Sequence, residues 1–197
     1  MTSLLYTGER RLIIVETPYP HGNVIVEIFA SGVCGTDLKT YLHGHPMFKP
    51  PTVLGHEGYG RIAEIKDGLQ GFRVGDLVAV APYIECGVCS NCTAGIPELC
   101  THKTCVSSGY FTEYVSINHA HAERALFKIP ADSVEYTLVE PLACVLNGIE
   151  KAGVHDNVLV VGGGIMGALF AVTLKNLGKD VMVLEISDWR ISFLQSR

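Results

Sequence analysis

Four cysteines crowded into fifteen residues, Cys86, Cys89, Cys92 and Cys100, constrain this chain more than any other feature. Their pattern is C-x2-C-x2-C-x7-C. A tetrahedral four-thiolate zinc site needs sulfurs about 2.3 Å from the ion, and two-residue spacers let one turn deliver neighbouring sulfurs to a common point. Gly87, Gly95 and Pro97 supply turn chemistry without imposing helix or strand. No histidine intervenes, so all four positions are soft ligands, suited to zinc or to an iron–sulfur cluster. There are seven cysteines in all, Cys34, Cys105 and Cys144 being the others, and neither an odd number nor the lack of an export signal favours a disulfide framework. Coincidental free thiols or a redox pair would not need this spacing. In a reducing compartment the cluster reads as a closed structural zinc site that holds its loop together and does no chemistry.

The remainder of the composition narrows the class. Of 197 residues 48% are apolar and 18% charged, which suits a globular chain with a sizeable core. The formal charge of −5 comes without a basic stripe, so a nucleic-acid partner is not expected. No run of 18 apolar residues occurs, so neither a membrane span nor a signal peptide is expected, and the default location is cytoplasmic. The first 130 residues read as β-rich, with short apolar runs at Leu12–Val15, Val24–Phe29, Tyr59–Ile65, Leu77–Val80 and Tyr114–Ile117 between Gly, Pro and Asp punctuation. Asp132 and Ser133 then look like helix caps, Pro141 suits a first helical position, and Leu142, Val145, Leu146 and Ile149 recur at helical spacing before Gly153. A strand–turn–helix–strand follows: Val158–Val161, Gly162–Gly167, Ile165–Leu177 and Val181–Leu184, with Asp188 placed to cap a further helix. The reading is two domains, a β-rich one over 1–150 and the start of an α/β one over 151–197.

Three further residues invite attention. Cys34 follows an apolar strand, His56 lies in Gly55-His56-Glu57-Gly58, and Glu140 precedes Pro141 at a helix start. Singly each has an ordinary explanation: a small buried hydrophobe, a hydrogen-bonded structural histidine, and a carboxylate at a helix N-terminus. The glycine turn Gly162-Gly163-Gly164-Ile165-Met166-Gly167 fits G-x-G-x-x-G directly after a strand and opening a helix, the context in which that motif binds dinucleotides. Gly162 permits the tight turn, Gly164 lets a pyrophosphate approach, and Gly167 lets the helix pack on the strand. Glu185, 23 residues beyond Gly162, is placed to accept from ribose hydroxyls and to repel a 2′-phosphate, favouring NAD over NADP.

Residues 6–197 resemble the zinc-containing medium-chain alcohol/polyol dehydrogenases. The resemblance rests on Cys34-Gly35-Thr36-Asp37, Gly55-His56-Glu57, the four-cysteine loop, Phe111-Thr112-Glu113-Tyr114-Val115, Glu140-Pro141-Leu142 and the glycine turn, in this order. It implies a GroES-like β-barrel catalytic domain followed by a Rossmann domain, and an enzyme that passes hydride from an alcohol or polyol to NAD. Cys34 and His56 become ligands of a catalytic zinc, and Glu57 becomes a ligand that exchanges with water or substrate. Glu140 matches the carboxylate of the polyol branch, with Cys144 as its rival. Thr36 would take the alcohol proton, and Asp37 would orient His56. Zinc suits this work, since it lowers the pKa of a bound hydroxyl steeply. Position 39 is Lys where many relatives carry a His, which leaves the route of proton exit open between His43, His45 and neither. The resemblance further implies a homo-oligomer at full length, and a truncated chain here, with an incomplete Rossmann sheet and little turnover of its own. A non-catalytic zinc-stabilised scaffold or binding module is the alternative. A zinc-free quinone reductase is disfavoured by the Cys34/His56 pair.

Overall fold

A computed structural model describes residues 1–196. Two compact units divide the chain, Met1–Val139 and Glu140–Arg197. The first runs β1 (Thr2–Gly8), β2 (Arg11–Glu16), β3 (Val24–Gly32), α1 (Gly35–His43), β4 (Thr52–Val53), β5 (Glu57–Ile65) and β6 (Leu77–Val80). It continues with β7 (Tyr83–Ile84), α2 (Ser90–Thr93), β8 (Thr104–Cys105), β9 (Tyr114–Ile117), α3 (His119–Ala125) and β10 (Leu126–Lys128). A 3-10 turn at Val134–Leu138 closes it.

Five of these strands form an antiparallel sheet in the order β10-β6-β5-β3-β9, and a smaller sheet has the order β2-β1-β4. Period-2 apolar runs explain the core. Val24 and Val26 from β3, Ile62 from β5, Val78 from β6, and Val115 and Ile117 from β9 are each at most 1% exposed and pack in one cluster. Alternate residues on each strand share a face, so pairing four such strands stacks their branched side chains in one layer. The closed barrel implied by the resemblance is not completed among the described residues. β9 and β10 stand at opposite edges of the large sheet, and the two sheets join through the isolated bridge Ser3↔Thr112.

The second unit contains most of α4 (Val139–Ala152), then β11 (Asn157–Val161), α5 (Ile165–Asn176), β12 (Asp180–Leu184) and α6 (Asp188–Gln195). Pro141 sits inside the first turn rather than at the first helical position, because α4 continues directly from the 3-10 turn and begins at Val139. Gly153 ends the helix with a φ of +56°, and Gly178 does the same for α5 at +76°, the left-handed step that glycine makes without strain. Strands β11 and β12 pair in parallel, from Asn157↔Asp180 to Val161↔Leu184. Val158, Val160 and Val181 pack against Val145, Ile149 and Leu174 of the helices. The alternate residues Leu159, Val161, Met182 and Leu184 are 56–74% exposed, so one face of this incomplete α/β sheet is bare. Among the described residues no helix is long and apolar enough to cross a membrane.

Candidate metal centres and nucleotide turn

Strand pairing assembles the first metal centre. Gly32 at the end of β3 lies opposite Glu57 at the start of β5. Cys34 follows Gly32 by two residues and His56 precedes Glu57, so antiparallel register brings three ligand types together from opposite chain directions. The ligand atoms of Cys34, His56 and Glu57 all lie within 4.8 Å of one another. One sulfur, one nitrogen and one carboxylate around a common point fit a zinc that keeps an open coordination position.

Asp37 organises this centre. Its Oδ2 accepts the Cys34 amide at 2.9 Å and its Oδ1 accepts the Gly55 amide at 3.1 Å. The same Oδ1 lies 3.6 Å from His56 Nδ1. One buried carboxylate thus braces the backbone beside two ligands and faces the imidazole of one, which leaves Nε2 to face a metal. Gly55 makes this possible: its φ is +93°, and an added Cβ would fall 2.6 Å from Cδ1 of the Phe111 ring. Thr36 occupies the first turn of α1, and its carbonyl accepts the hydroxyl of the buried Thr40 at 2.7 Å.

The electrostatics follow from these contacts. The Asp37 carboxylate beside the ring raises His56 to about 9 against the counter-effect of burial, with Cys34 adding to the rise. Burial acts to raise Asp37, yet the His56 ring and the Cys34 and Gly55 amides outweigh it and hold the carboxyl below its usual range. Glu57 is pushed upward, chiefly by burial. A metal must displace the His56 proton. Zinc affinity at this centre is therefore expected to rise with pH, since both the His56 imidazolium and the Cys34 thiol must give up a proton to the ion. Competitive chelator titration between pH 6 and 10 measures this. An affinity that does not change with pH would contradict ligation through these two side chains.

The four-cysteine loop gathers as its spacing predicts. Sulfur–sulfur separations are 3.5 Å for Cys89–Cys92 and Cys86–Cys100, 3.9 Å for Cys89–Cys100 and 4.0 Å for Cys86–Cys92. Tetrahedral sulfurs 2.3 Å from zinc lie about 3.8 Å apart, so the loop is already shaped for the ion. Backbone amides point at the sulfurs, Cys86 and His102 to Cys100 and Cys89 to Cys86, at 3.3–3.4 Å. His102 was not legible as part of this site; only its amide is used, and any residue at that turn would offer one. Backbone amides, Cys92 first, lower the Cys89 thiol to about 5, while burial and the Cys89 sulfur push Cys92 up to about 12. A cation relieves that disparity by favouring four thiolates together.

In the second unit, Gly162 adopts a φ of +98° and donates its amide to Leu184 at 2.8 Å, tying the turn to β12. Gly167 must be glycine, since a Cβ there would fall 1.8 Å from the Gly162 carbonyl oxygen. Gly164 caps α5, and a Cβ there would meet nothing within 4 Å. That open space lies before the unpaired first-turn amides of α5, where Ile165 and Met166 are exposed, as an anion site requires. Glu185 reaches back to the turn and accepts the Gly163 amide at 2.7 Å. Glu140 and Cys144, the rival candidates for a further ligand, occupy successive turns of α4 with Sγ 3.9 Å from Oε1.

Comparison with known proteins agrees with this geometry. The family model described as alcohol dehydrogenase GroES-like domain matches residues 20–131, and that of pyridine nucleotide-disulphide oxidoreductase matches 157–193. The chain is 33% identical to D-altritol 5-dehydrogenase of Agrobacterium fabrum, over 99% of this chain and 61% of that protein. It is 35% identical to sorbitol dehydrogenase of Halalkalibacterium halodurans, over 92% of this chain and 53% of that protein. A crystal structure of a short chain alcohol dehydrogenase from Escherichia coli CFT073, complexed with NADH, superposes with a TM-score of 0.85 at 32% identity. That match covers 100% of this chain and 60% of the other. The chain thus spans between half and three-fifths of the length of these relatives. With a GroES-like region matched over more than half of its residues, the chain belongs to the zinc-containing medium-chain alcohol/polyol dehydrogenase family.

Proposed function

We propose that this chain supplies the metal centres and the coenzyme turn of a dehydrogenase that oxidises an alcohol or polyol with NAD. The observation that carries the reading is the convergence of Cys34, His56 and Glu57 on one point, braced by Asp37. Curated relatives are named for altritol and sorbitol, which supports a polyol as the substrate class.

Each residue then has a task. Cys34 and His56 would hold a zinc, with Glu57 as an exchangeable third ligand, and the pattern Glu140-Pro141-Leu142 nominates Glu140 as the carboxylate characteristic of the polyol branch. A zinc held there would supply Lewis acidity, lowering the pKa of a substrate hydroxyl. Thr36, two residues from Cys34, would take the hydroxyl proton at its own hydroxyl oxygen and pass its own outward. Asp37 fixes the His56 ring. Cys86, Cys89, Cys92 and Cys100 would hold a second zinc that shapes the loop. Gly162, Gly164, Ile165, Met166 and Gly167 present backbone to the coenzyme diphosphate, and the charge of Glu185 favours NAD over NADP.

Metal analysis of purified protein tests the reading. Two zinc ions per chain are expected, one of them lost on His56→Ala, together with tighter binding of NADH than NADPH by calorimetry. A single zinc that survives His56→Ala would instead support a zinc-stabilised scaffold.

A further inference from the structure

Glu185 does more in this structure than wait for a ribose. Its side chain is only 4% exposed. Oε1 accepts the amides of Ile186 at 2.7 Å and Ser187 at 2.9 Å, and Oε2 accepts the amide of Gly163 at 2.7 Å. Arg190 Nη1 adds a longer contact of 3.4 Å to Oε2 from a half-exposed side chain. A carboxylate offers about four acceptor directions. All four are engaged here, three of them by short backbone bonds. These amides, Ser187 first, hold the carboxyl at about 2, so it is charged at any working pH.

The contact with Gly163 reaches into the middle of the glycine turn. A Cβ at Gly163 would lie 2.8 Å from Leu194 Cδ1 and 3.1 Å from Glu185 Oε2, so the turn is seated directly on this carboxylate and on α6. The amide of Gly162 is already tied to β12 by Leu184. Without Glu185, the peptide between Gly162 and Gly164 would lose its partner and could rotate, which would misdirect the backbone offered to a diphosphate.

We propose that Glu185 is a positioning residue for the whole coenzyme turn, its Oε2 fixing the Gly163 amide and hence the path of Gly162–Gly164, in addition to meeting the adenosine ribose. The inference rests on the reading of this turn as a nucleotide site. It carries a consequence for coenzyme choice. An acid pinned by three amides cannot swing aside for a 2′-phosphate, and Arg190 is the one donor that a ribose hydroxyl can displace from Oε2. Removing the carboxylate therefore loosens the turn for every coenzyme instead of converting the site to NADP.

The test compares wild type with Glu185→Ala and Glu185→Gln by calorimetry, using NADH and an NADH analogue that lacks both adenosine ribose hydroxyls. A turn-holding role predicts that Glu185→Ala weakens both ligands by roughly tenfold or more, with Gln rescuing part of the loss. A role confined to the ribose predicts a loss for NADH and less than about twofold for the analogue, and that result overturns the proposal. Hydrogen exchange of the ligand-free protein gives a second reading. Peptides containing Gly163 should exchange about tenfold faster in Glu185→Ala while β3 of the first unit is unchanged. Unchanged exchange at Gly163 also overturns it. If wild type binds no nucleotide, the coenzyme reading falls, and the exchange result alone still decides whether Glu185 holds the turn.

Discussion

Cys92→Ser is expected to release one zinc per chain and to unravel residues 86–100 while leaving the core of the first unit folded. Within that segment Cys100, at 8% exposed, is the one buried residue, and α2 spans only four residues. Neither apolar burial nor helix propensity can order such a loop. Its order must come from the metal, whose binding in four-thiolate sites contributes roughly 10 kcal/mol or more. A serine oxygen is a harder and far less acidic ligand, and the three remaining sulfurs cannot close the tetrahedron. The main cluster of the first unit, built on Val24, Val26, Ile62, Val115 and Ile117, includes no residue of 86–100. Limited proteolysis with metal analysis measures the effect: new cleavage sites confined to the loop, and one zinc retained. Loss of both ions, or of neither, would refute the independence of the two centres.

Gly167→Ala is expected to abolish nucleotide binding and to destabilise the second unit by at least about 1–3 kcal/mol, the usual cost of forcing a methyl into a packed site. The methyl would fall 1.8 Å from the Gly162 oxygen and 2.9 Å from its carbonyl carbon, both backbone atoms that cannot rotate away. Helix α5 would have to lift off β11. Leu174, 1% exposed, would then lose its seat among the branched residues of the sheet. The chain has one tryptophan, Trp189, in α6, so its fluorescence during urea unfolding reports on this unit. Gly164→Ala provides the contrast. Its φ of −69° suits alanine and its Cβ would meet nothing, so stability should be unchanged while a diphosphate, whose path the methyl blocks, binds at least tenfold more weakly. Equal effects of the two alanines would contradict the assigned roles.

Legibility in the sequence tracked how local each cause is. The four-cysteine site is made by one loop, so its spacing sufficed. Strands such as Leu77–Val80 and Tyr114–Ile117 match their apolar runs residue for residue, the first because it is covered on both faces and the second because one face is buried. Helix α1 is not legible in the sequence. It is only nine residues long and its buried residues, Asp37 and Thr40, are polar, so no apolar stripe announces it; its first turn is held by Asp37 accepting the Cys34 amide, a cap that doubles as part of the metal centre. The meeting of Cys34 with His56 depends on the register Gly32↔Glu57 between strands remote in sequence. Family resemblance supplied that meeting; periodicity could not. The Asp37–Gly55 bond was equally hidden, because it needs the left-handed backbone at Gly55 and the Phe111 ring above it. Glu185 was legible as an acid at the right distance from the glycines, but its grip on Gly163 was not, since that requires the parallel register of β11 with β12.

Zinc-edge X-ray absorption of the purified protein, combined with metal counting, tests the convergence of Cys34, His56 and Glu57 most directly. Two zincs are predicted, with an averaged shell that mixes sulfur near 2.3 Å and nitrogen or oxygen near 2.0–2.1 Å in a ratio of about five to three. A single zinc surrounded by four sulfurs alone would contradict the account.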